Sequence, residues 1–519
     1  MLISLRLGRR TTLLLVLALA LLVSASVRAT NAYADPHSAS TAVVTMGDSY
    51  ISGEGGRWLG NSIDSAGSRD GTDRACVFTA GACTSYDESK VYLGGSAADG
   101  CHRSDVAELL SAQLAVDQRF NIACSGAVTK NLFRSADGGV GQNGEAAQAD
   151  QLAPIAKAYR VKLILVSIGG NDLGFSSIIS ACLTHYEAKL GPCNPAEQAA
   201  VDAKLPAAIS GIEKAIDEIR AVMTASGYAP SDYRLVLQTY PSVVPSAPNT
   251  RYPELGPQRT TFGCPFYDQD LTWAHDTAGP EIGGAVKTAA AARGVEVMDL
   301  GGAFSGHEFC ATTSQEATAA AFPSPAQAEW GRFLSASAIQ QGEVQEVFHP
   351  DAYGQQALGT CLTQLYLTQI PGDFRCTDTP GAGPQAMTLA RTVSFVSHGG
   401  GRTISGDHPR IAVRGVPHGC TRARWTILHI AVRGAAAQRM IRVVLDGKTI
   451  KTTHAAFFGL AVHAAKLRPG PHGLRITVID STGGHATRTV TIVRCRPARH
   501  GRRQAPRRHR PADEPESLF

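Results

Sequence analysis

Short apolar runs alternate with amphipathic stretches along most of the chain. Ala42, Val43, Val44 and Met46 predict a buried strand that Gly47 and Asp48 break at once, leaving Ser49 at its C-terminal end. Ser104 to Val116 has a capping serine and helical apolar spacing, and Phe120 to Ala123 reads as a second short strand before Cys124-Ser125-Gly126-Ala127. Val161 to Ile168 is apolar on both faces, as parallel strands are, and ends in Gly169-Gly170-Asn171-Asp172. Pro206 to Thr224 predicts an amphipathic helix, Tyr233 to Gln238 a buried strand, Glu281 to Arg293 a helix, Val295 to Leu300 a strand and Gln355 to Tyr366 a helix. This alternation predicts an α/β fold with a doubly wound parallel sheet. Ser49, Gly126 and Asn171 then arrive at one edge of it, where loops and helix N-termini converge.

Other segments break the rhythm. Gly53 to Gly100 is polar and glycine-rich, which predicts a long surface excursion, and Tyr240 to Trp273, rich in proline and aromatic residues, predicts a loop over the pocket. Residues 377–409 turn to Pro, Gly, Ser and Thr and read as a linker. From Ile411 to Val493 the period changes to short strands, with turn signals at Asp446-Gly447, Pro469-Gly470 and Gly483-Gly484, which predicts a small all-β sandwich over 410–495. The tail, 496–519, is arginine-rich and then acidic, a composition expected to stay disordered.

Composition adds the compartment. A length of 519 residues predicts at least two domains, and 44% apolar with 18% charged residues describes a soluble globular chain. The net charge of +5 is mild and much of it lies in the tail, so no nucleic-acid partner is expected. Arg6, Arg9 and Arg10 precede the apolar run Thr12 to Val27, and Ala32-Tyr33-Ala34 supplies a small-residue cleavage pattern, so 1–34 reads as a secretory signal peptide and 35–376 as the main domain of an exported, extracellular protein. No other stretch is apolar enough to span a bilayer. Twelve cysteines in an exported chain predict disulfides. Short loops suggest Cys76 with Cys83, Cys101 with Cys124, Cys182 with Cys193, Cys264 with Cys310, Cys361 with Cys376 and Cys420 with Cys495, although spacing alone does not fix connectivity.

The candidate chemistry is nucleophilic. His349 stands in QEVFHPDAYG, before a proline at a loop-to-helix entry, where its side chain is presented rather than buried. A neutral imidazole is the right base for a serine hydroxyl near pH 7. Without a C-x-x-C pair, and with Asp64, Asp70 and Asp73 off the spacing of a calcium loop, neither a metal nor a cofactor is expected. Asp48 and Asp172 read as loop organisers and Asp351 as a helix cap.

GDSY at 47–50, the glycine of ACSGA at 126, GGND at 169–172 and HPDAYG at 349–354 resemble, in order, the four blocks of the SGNH (GDSL-type) hydrolases. The flanking GRWLGN, YDESKVY, GCHRSDVAEL and VQEVFHPDAYGQQAL resemble secreted actinobacterial lipases and esterases, the scabies-esterase-like branch included. The likeness spans Ala42 to Cys376. It implies a flavodoxin-like three-layer fold, a lipase or esterase activity on lipid or acyl esters, Ser49 as nucleophile, His349 as base, and an oxyanion hole from the N–H groups of Ser49 and Gly126 with the Asn171 amide. It also implies the pairs Cys101 with Cys124, Cys182 with Cys193 and Cys264 with Cys310. Where the family commonly has aspartate three residues before the histidine this chain has Glu346, expected as the third triad member, with a backbone carbonyl as the alternative. The C-terminal module resembles, more loosely, immunoglobulin-like modules of bacterial exported enzymes and is a candidate for contact with the cell envelope. A monomer is expected. Two other readings are a carbohydrate O-acetylesterase and a non-catalytic cell-envelope binding protein.

Overall fold

The computed structural model describes residues 40–64, 67–334, 341–368, 370–392, 410–417, 419–433, 439–453, 457–480 and 485–495. The expected signal peptide, most of the linker and the tail lie outside these residues. The chain divides into two units, Met1–Phe395 and Val396–Phe519.

The first unit contains strands β1 (Thr41–Gly47), β2 (Cys76–Thr79), β3 (Ala82–Tyr86), β4 (Gln118–Asn121), β5 (Arg160–Ser167), β6 (Arg234–Gln238), β7 (Glu296–Gly302), β8 (Phe374–Thr377) and β9 (Thr388–Arg391). Seven form one sheet in the order β4-β1-β5-β6-β7-β8-β9, parallel except for the antiparallel last pair, while β2 and β3 make a separate hairpin closed by Cys76–Cys83. The principal helices are α1 (Gln148–Ala158), α2 (Phe175–Glu187), α3 (Asn194–Ala225), α4 (Gly279–Arg293) and α5 (Ala352–Leu367).

The strand period of two divides the core into two layers. Val44, Ile164, Val166, Leu235 and Leu237 pack with Leu152 of α1, Ile212, Ile216 and Ile219 of α3 and Val286 of α4. Their neighbours Val43, Leu163, Leu165 and Val236 face the other way, onto Leu358, Leu362 and Leu365 of α5. Both faces are covered, as a parallel sheet requires. The strands' C-terminal ends therefore share one open edge.

Four expectations need correction. The helix expected over Ser104 to Val116 is a single turn, Glu108–Ser111, beyond which the Gln113 N–H leaves the helical pattern and donates to Thr363 Oγ1 of α5 at 2.8 Å. The main domain does not stop at Cys376: β9 falls inside the expected linker and completes the sheet by pairing with β8. Nor is Gly53 to Gly100 wholly superficial, since Glu54, Arg57, Trp58, Tyr92 and their neighbours are buried. Five of the disulfides bridge the cysteines suggested by spacing, but Cys264 and Cys310 are buried thiols, with Cys310 Sγ 3.3 Å from the Phe262 carbonyl oxygen.

The second unit holds β10 (Arg410–Arg414), β11 (Cys420–Thr421), β12 (Thr426–Arg433), β13 (Arg439–Leu445), β14 (Lys448–Thr453), β15 (Phe457–Val462), β16 (Gly470–Asp480) and β17 (His485–Arg494). They form a three-stranded sheet, β10-β12-β15, and a five-stranded one, β11-β17-β16-β13-β14. Leu428, Ile430 and Leu460 of the first meet Ile441, Leu474, Ile476 and Ile492 of the second in one core.

Candidate active site

Ser49 opens the one-turn helix Ser49–Ser52 directly after β1, and Asp48 caps it by accepting from Tyr50 N–H. The turn requires Gly47, whose φ of +133° places a would-be Cβ 1.9 Å from the Ser167 carbonyl oxygen on β5. Gln148 of α1 clamps the same residue, accepting from its N–H and donating to its carbonyl, both at 2.7 Å.

His349 is fixed by its backbone. Arg332 N–H donates to the His349 carbonyl at 2.8 Å, Phe348 N–H to the Arg332 carbonyl at 2.9 Å, and Tyr50 O–H to the Phe348 carbonyl at 2.6 Å. Phe348 turns the chain with a φ of +66°, a costly conformation for a bulky residue, and its ring is held between those of Phe266 and Phe309, at 5.4 and 5.0 Å. Asp351 then caps α5, accepting from Gly354 N–H. Three hundred residues apart in the chain, the Ser49 hydroxyl donates to His349 Nε2 at 2.7 Å. The other ring nitrogen, Nδ1, faces the Val347 carbonyl oxygen at 2.9 Å. A carbonyl only accepts, so Nδ1 carries the proton and Nε2 offers its lone pair to the serine.

Glu346 is not that partner. The turn that carries it, Val344–Glu346, points its side chain inward, where Tyr92 O–H and Trp58 Nε1–H donate to its two oxygens at 2.6 and 2.9 Å and Arg57 lies 4.0 Å away. Burial raises its pKa, while Arg57 and the two hydrogen bonds oppose the rise. The sequence pattern of one carboxylate near a histidine carries no information about which side of the loop the carboxylate takes.

Burial lowers the pKa of His349, and the charge of Glu54 works against the fall. Glu54 is itself fully buried and pairs with His102 Nδ1 at 2.7 Å, beneath the Tyr92 ring that stacks on His102 at 4.3 Å. Neither Glu54 nor His102 carries a recognisable sequence signal. Asp48 and Asp172 organise the rest: Asp48 accepts from Tyr240 O–H, which in turn accepts from Gly170 N–H at 3.1 Å, while Asp172 accepts from the hydroxyl and N–H of Thr129. Burial pushes the Asp48 carboxyl up to about 7. Asn171 donates one amide proton to the Ala127 carbonyl at 3.0 Å, which orients the amide.

Ser49, Gly126, Asn171 and His349 line one pocket of about 610 Å³. One wall comes from α2, where Phe175, Ile179 and Leu183 recur every four residues, and Leu334, Val344 and Val347 also line the pocket. Gln142 and Asn143 line it as well. The helical spacing of the α2 residues was the signal that could have found that wall in the sequence.

A family model described as GDSL-like Lipase/Acylhydrolase matches residues 45–357. The chain belongs to this family. It is similar to a protein named Lipase 1 from Streptomyces coelicolor, with 26% identity over 282 residues, 54% of this chain and 78% of that protein. It is similar also to a protein named Esterase from Streptomyces scabiei, with 27% identity over 207 residues, 36% of this chain and 56% of that one. Among solved structures an extracellular lipase from Streptomyces rimosus matches with a TM-score of 0.37 and 22% identity, covering 63% of this chain and all of that one. Membership of this GDSL-like family makes the parallel sheet described above that of a GDSL/SGNH hydrolase fold, and makes the protein a hydrolase of ester substrates.

Proposed function

We propose that this member of the GDSL-like family is an exported serine hydrolase of lipid or acyl esters, working through an acyl-enzyme on Ser49. The observation that carries the reading is the 2.7 Å contact from Ser49 Oγ to His349 Nε2 in a pocket with an apolar wall. His349 takes the serine proton as Oγ attacks the ester carbonyl, and the imidazolium then gives that proton to the leaving alkoxide. The charge that develops on the carbonyl oxygen is met by the N–H groups of Ser49 and Gly126 and by the remaining amide proton of Asn171, and losing one such donor costs about 100- to 1000-fold in turnover. Water, activated by the same imidazole, attacks the acyl-enzyme and releases the acid. Neither step calls for a metal or a cofactor.

Phe175, Ile179 and Leu183 of α2, with Leu334, Val344 and Val347, support an acyl chain over a sugar O-acetyl group, while Ser176 and Ser180 of the same helix are the polar side chains on that wall. The disulfides and the small-residue pattern at 32–34 support export. The two facing sheets of the second unit support an immunoglobulin-like sandwich. The test is a p-nitrophenyl ester series on purified protein. Medium-chain esters should be cleaved fastest, Ser49→Ala should abolish cleavage with the fold intact, and Asn171→Ala should lower turnover by about 100-fold or more. Full activity in Ser49→Ala would end the proposal.

A further inference from the structure

Charge is distributed very unevenly between the two units. Residues 40–395 hold 23 lysines and arginines against 37 aspartates and glutamates, whereas 410–495 hold 14 against two. Of those two acids, Asp446 is bonded to His472. Of the cations whose side chains are described, all but Arg494 are exposed. On the five-stranded sheet Ile441, Val443, Leu474 and Ile476 point into the core, so the intervening Arg442 and Arg475 share the outer face, with Thr477, Thr487 and Thr489 beside them. Arg442 pairs with Thr477 and Val444 with Arg475, which makes the two arginines diagonal neighbours on adjacent strands. Both are exposed, and among the described residues neither forms an ion pair. Like charges held together without counter-charges repel, and an anionic partner relieves that repulsion.

Two further sites specify the partner. Trp425 is 49% exposed and follows the exposed Arg422 and Arg424, and Ile450 is 40% exposed between Lys448 and Lys451. A large apolar side chain flanked by cations suits the boundary of a lipid layer, where the apolar group enters the headgroup region and the cations meet the phosphates.

We infer that the C-terminal unit docks the enzyme onto an anionic lipid surface. The inference rests on the ester-hydrolase reading only for its advantage. Cleaving acyl esters at an interface leaves fatty carboxylates there, so the surface grows negative as the reaction proceeds, and the acidic first unit alone would be driven off. The basic unit offsets most of that negative charge and presents a face of the opposite sign. Each cation near an anionic surface adds about fivefold to binding.

The test is co-sedimentation of the full chain with vesicles of diether phosphatidylcholine, alone or mixed with diether phosphatidylglycerol, lipids that present no ester to cleave. Binding should be at least about tenfold tighter to the mixed vesicles and should weaken as salt is raised from about 0.05 to about 0.5 M. The variant R422Q/R424Q/R442Q/R475Q should lose about tenfold or more of that affinity while cleaving a soluble acetate ester at the wild-type rate. Trp425→Ala should lose a few-fold on the same vesicles. Equal binding to both vesicle types, undiminished binding by the four-arginine variant, or tighter binding to heparin or a DNA oligonucleotide than to mixed vesicles would overturn the inference. A protein that binds as expected but cleaves no ester would count against the proposed function alone.

Discussion

His349 Nδ1 is held by the carbonyl oxygen of Val347, two residues earlier in the same loop and 2.9 Å away. The orienting group of the base is thus main chain, fixed by the fold of the loop, and the nearby carboxylate of Glu346 is spent on Trp58 and Tyr92. Glu346→Gln should therefore keep turnover within about tenfold of wild type, where loss of a true triad acid costs about 10⁴-fold. It should lower the melting temperature by a few degrees, because Arg57 and Arg332 lose a buried counter-charge. Steady-state rates alongside thermal melts separate the two effects, and a large rate loss without a stability loss would return Glu346 to the triad.

The pH profile follows from the imidazole. Burial lowers the pKa of His349 below its ordinary 6.5, and the proposed mechanism uses the neutral form. Activity is lost as pH falls through that pKa, so the acid limb of kcat/KM should have its midpoint below 6.5. Titration of kcat/KM on a short ester whose own ionisation is flat in this range checks it. A midpoint above 7 would mean that a negative charge dominates the environment of the ring.

Glu108 offers a stability test remote from the reaction. Its side chain is fully buried, with Oε2 accepting from Gln238 Nε2 at 2.9 Å, and burial raises its pKa from the ordinary 4.5 to about 7. Because the folded value is the higher one, the contribution of this group to stability is complete below 4.5 and is lost as pH rises through about 7. Glu108→Gln removes that dependence. Against wild type the variant should melt at a similar temperature near pH 5 and at a higher one near pH 8, a difference worth up to about 3 kcal/mol. Parallel melting curves for the two proteins across this range would show that Glu108 is ionised in the fold.

On the proposed function, the α2 wall is what sets acyl length. Ile179→Trp should fill the pocket, lowering kcat/KM for long-chain p-nitrophenyl esters by about tenfold or more while acetate stays within a few-fold, since one lost methylene contact is worth about 1–3 kcal/mol. An unchanged chain-length profile would place the acyl chain elsewhere.

Much of this was legible before the fold. The apolar runs located β1, β5, β6 and β7 to within two residues, because strands buried on both faces leave an uninterrupted signal, and the glycine and polar residues after β1, β4 and β5 singled out Ser49, Gly126 and Asn171, which line one pocket. Illegible were features that depend on partners distant in sequence. Helical spacing at Ser104 to Val116 could not reveal that Thr363 would claim the Gln113 N–H, and β9 lies in a composition that reads as linker until β8 is there to pair with it. The polar letters of Gly53 to Gly100 likewise concealed a buried network, Arg57 with Asp73 and Glu54 with His102, in which each charge is tolerable only beside its partner. The orientation of Glu346 belongs to the same class.

The most direct test is covalent. A fluorophosphonate reacts with a serine only when a base activates its oxygen and an oxyanion site receives the phosphoryl oxygen, so it reports the nucleophile, the base and the donors together. After exposure of the full chain to such a reagent, intact-mass measurement should show one adduct, peptide mapping should place it on Ser49, and ester hydrolysis should fall in step with labelling. His349→Ala should slow labelling by orders of magnitude, and Glu346→Gln should leave it near the wild-type rate. An adduct on another residue, or full ester hydrolysis with Ser49 completely modified, would contradict the account.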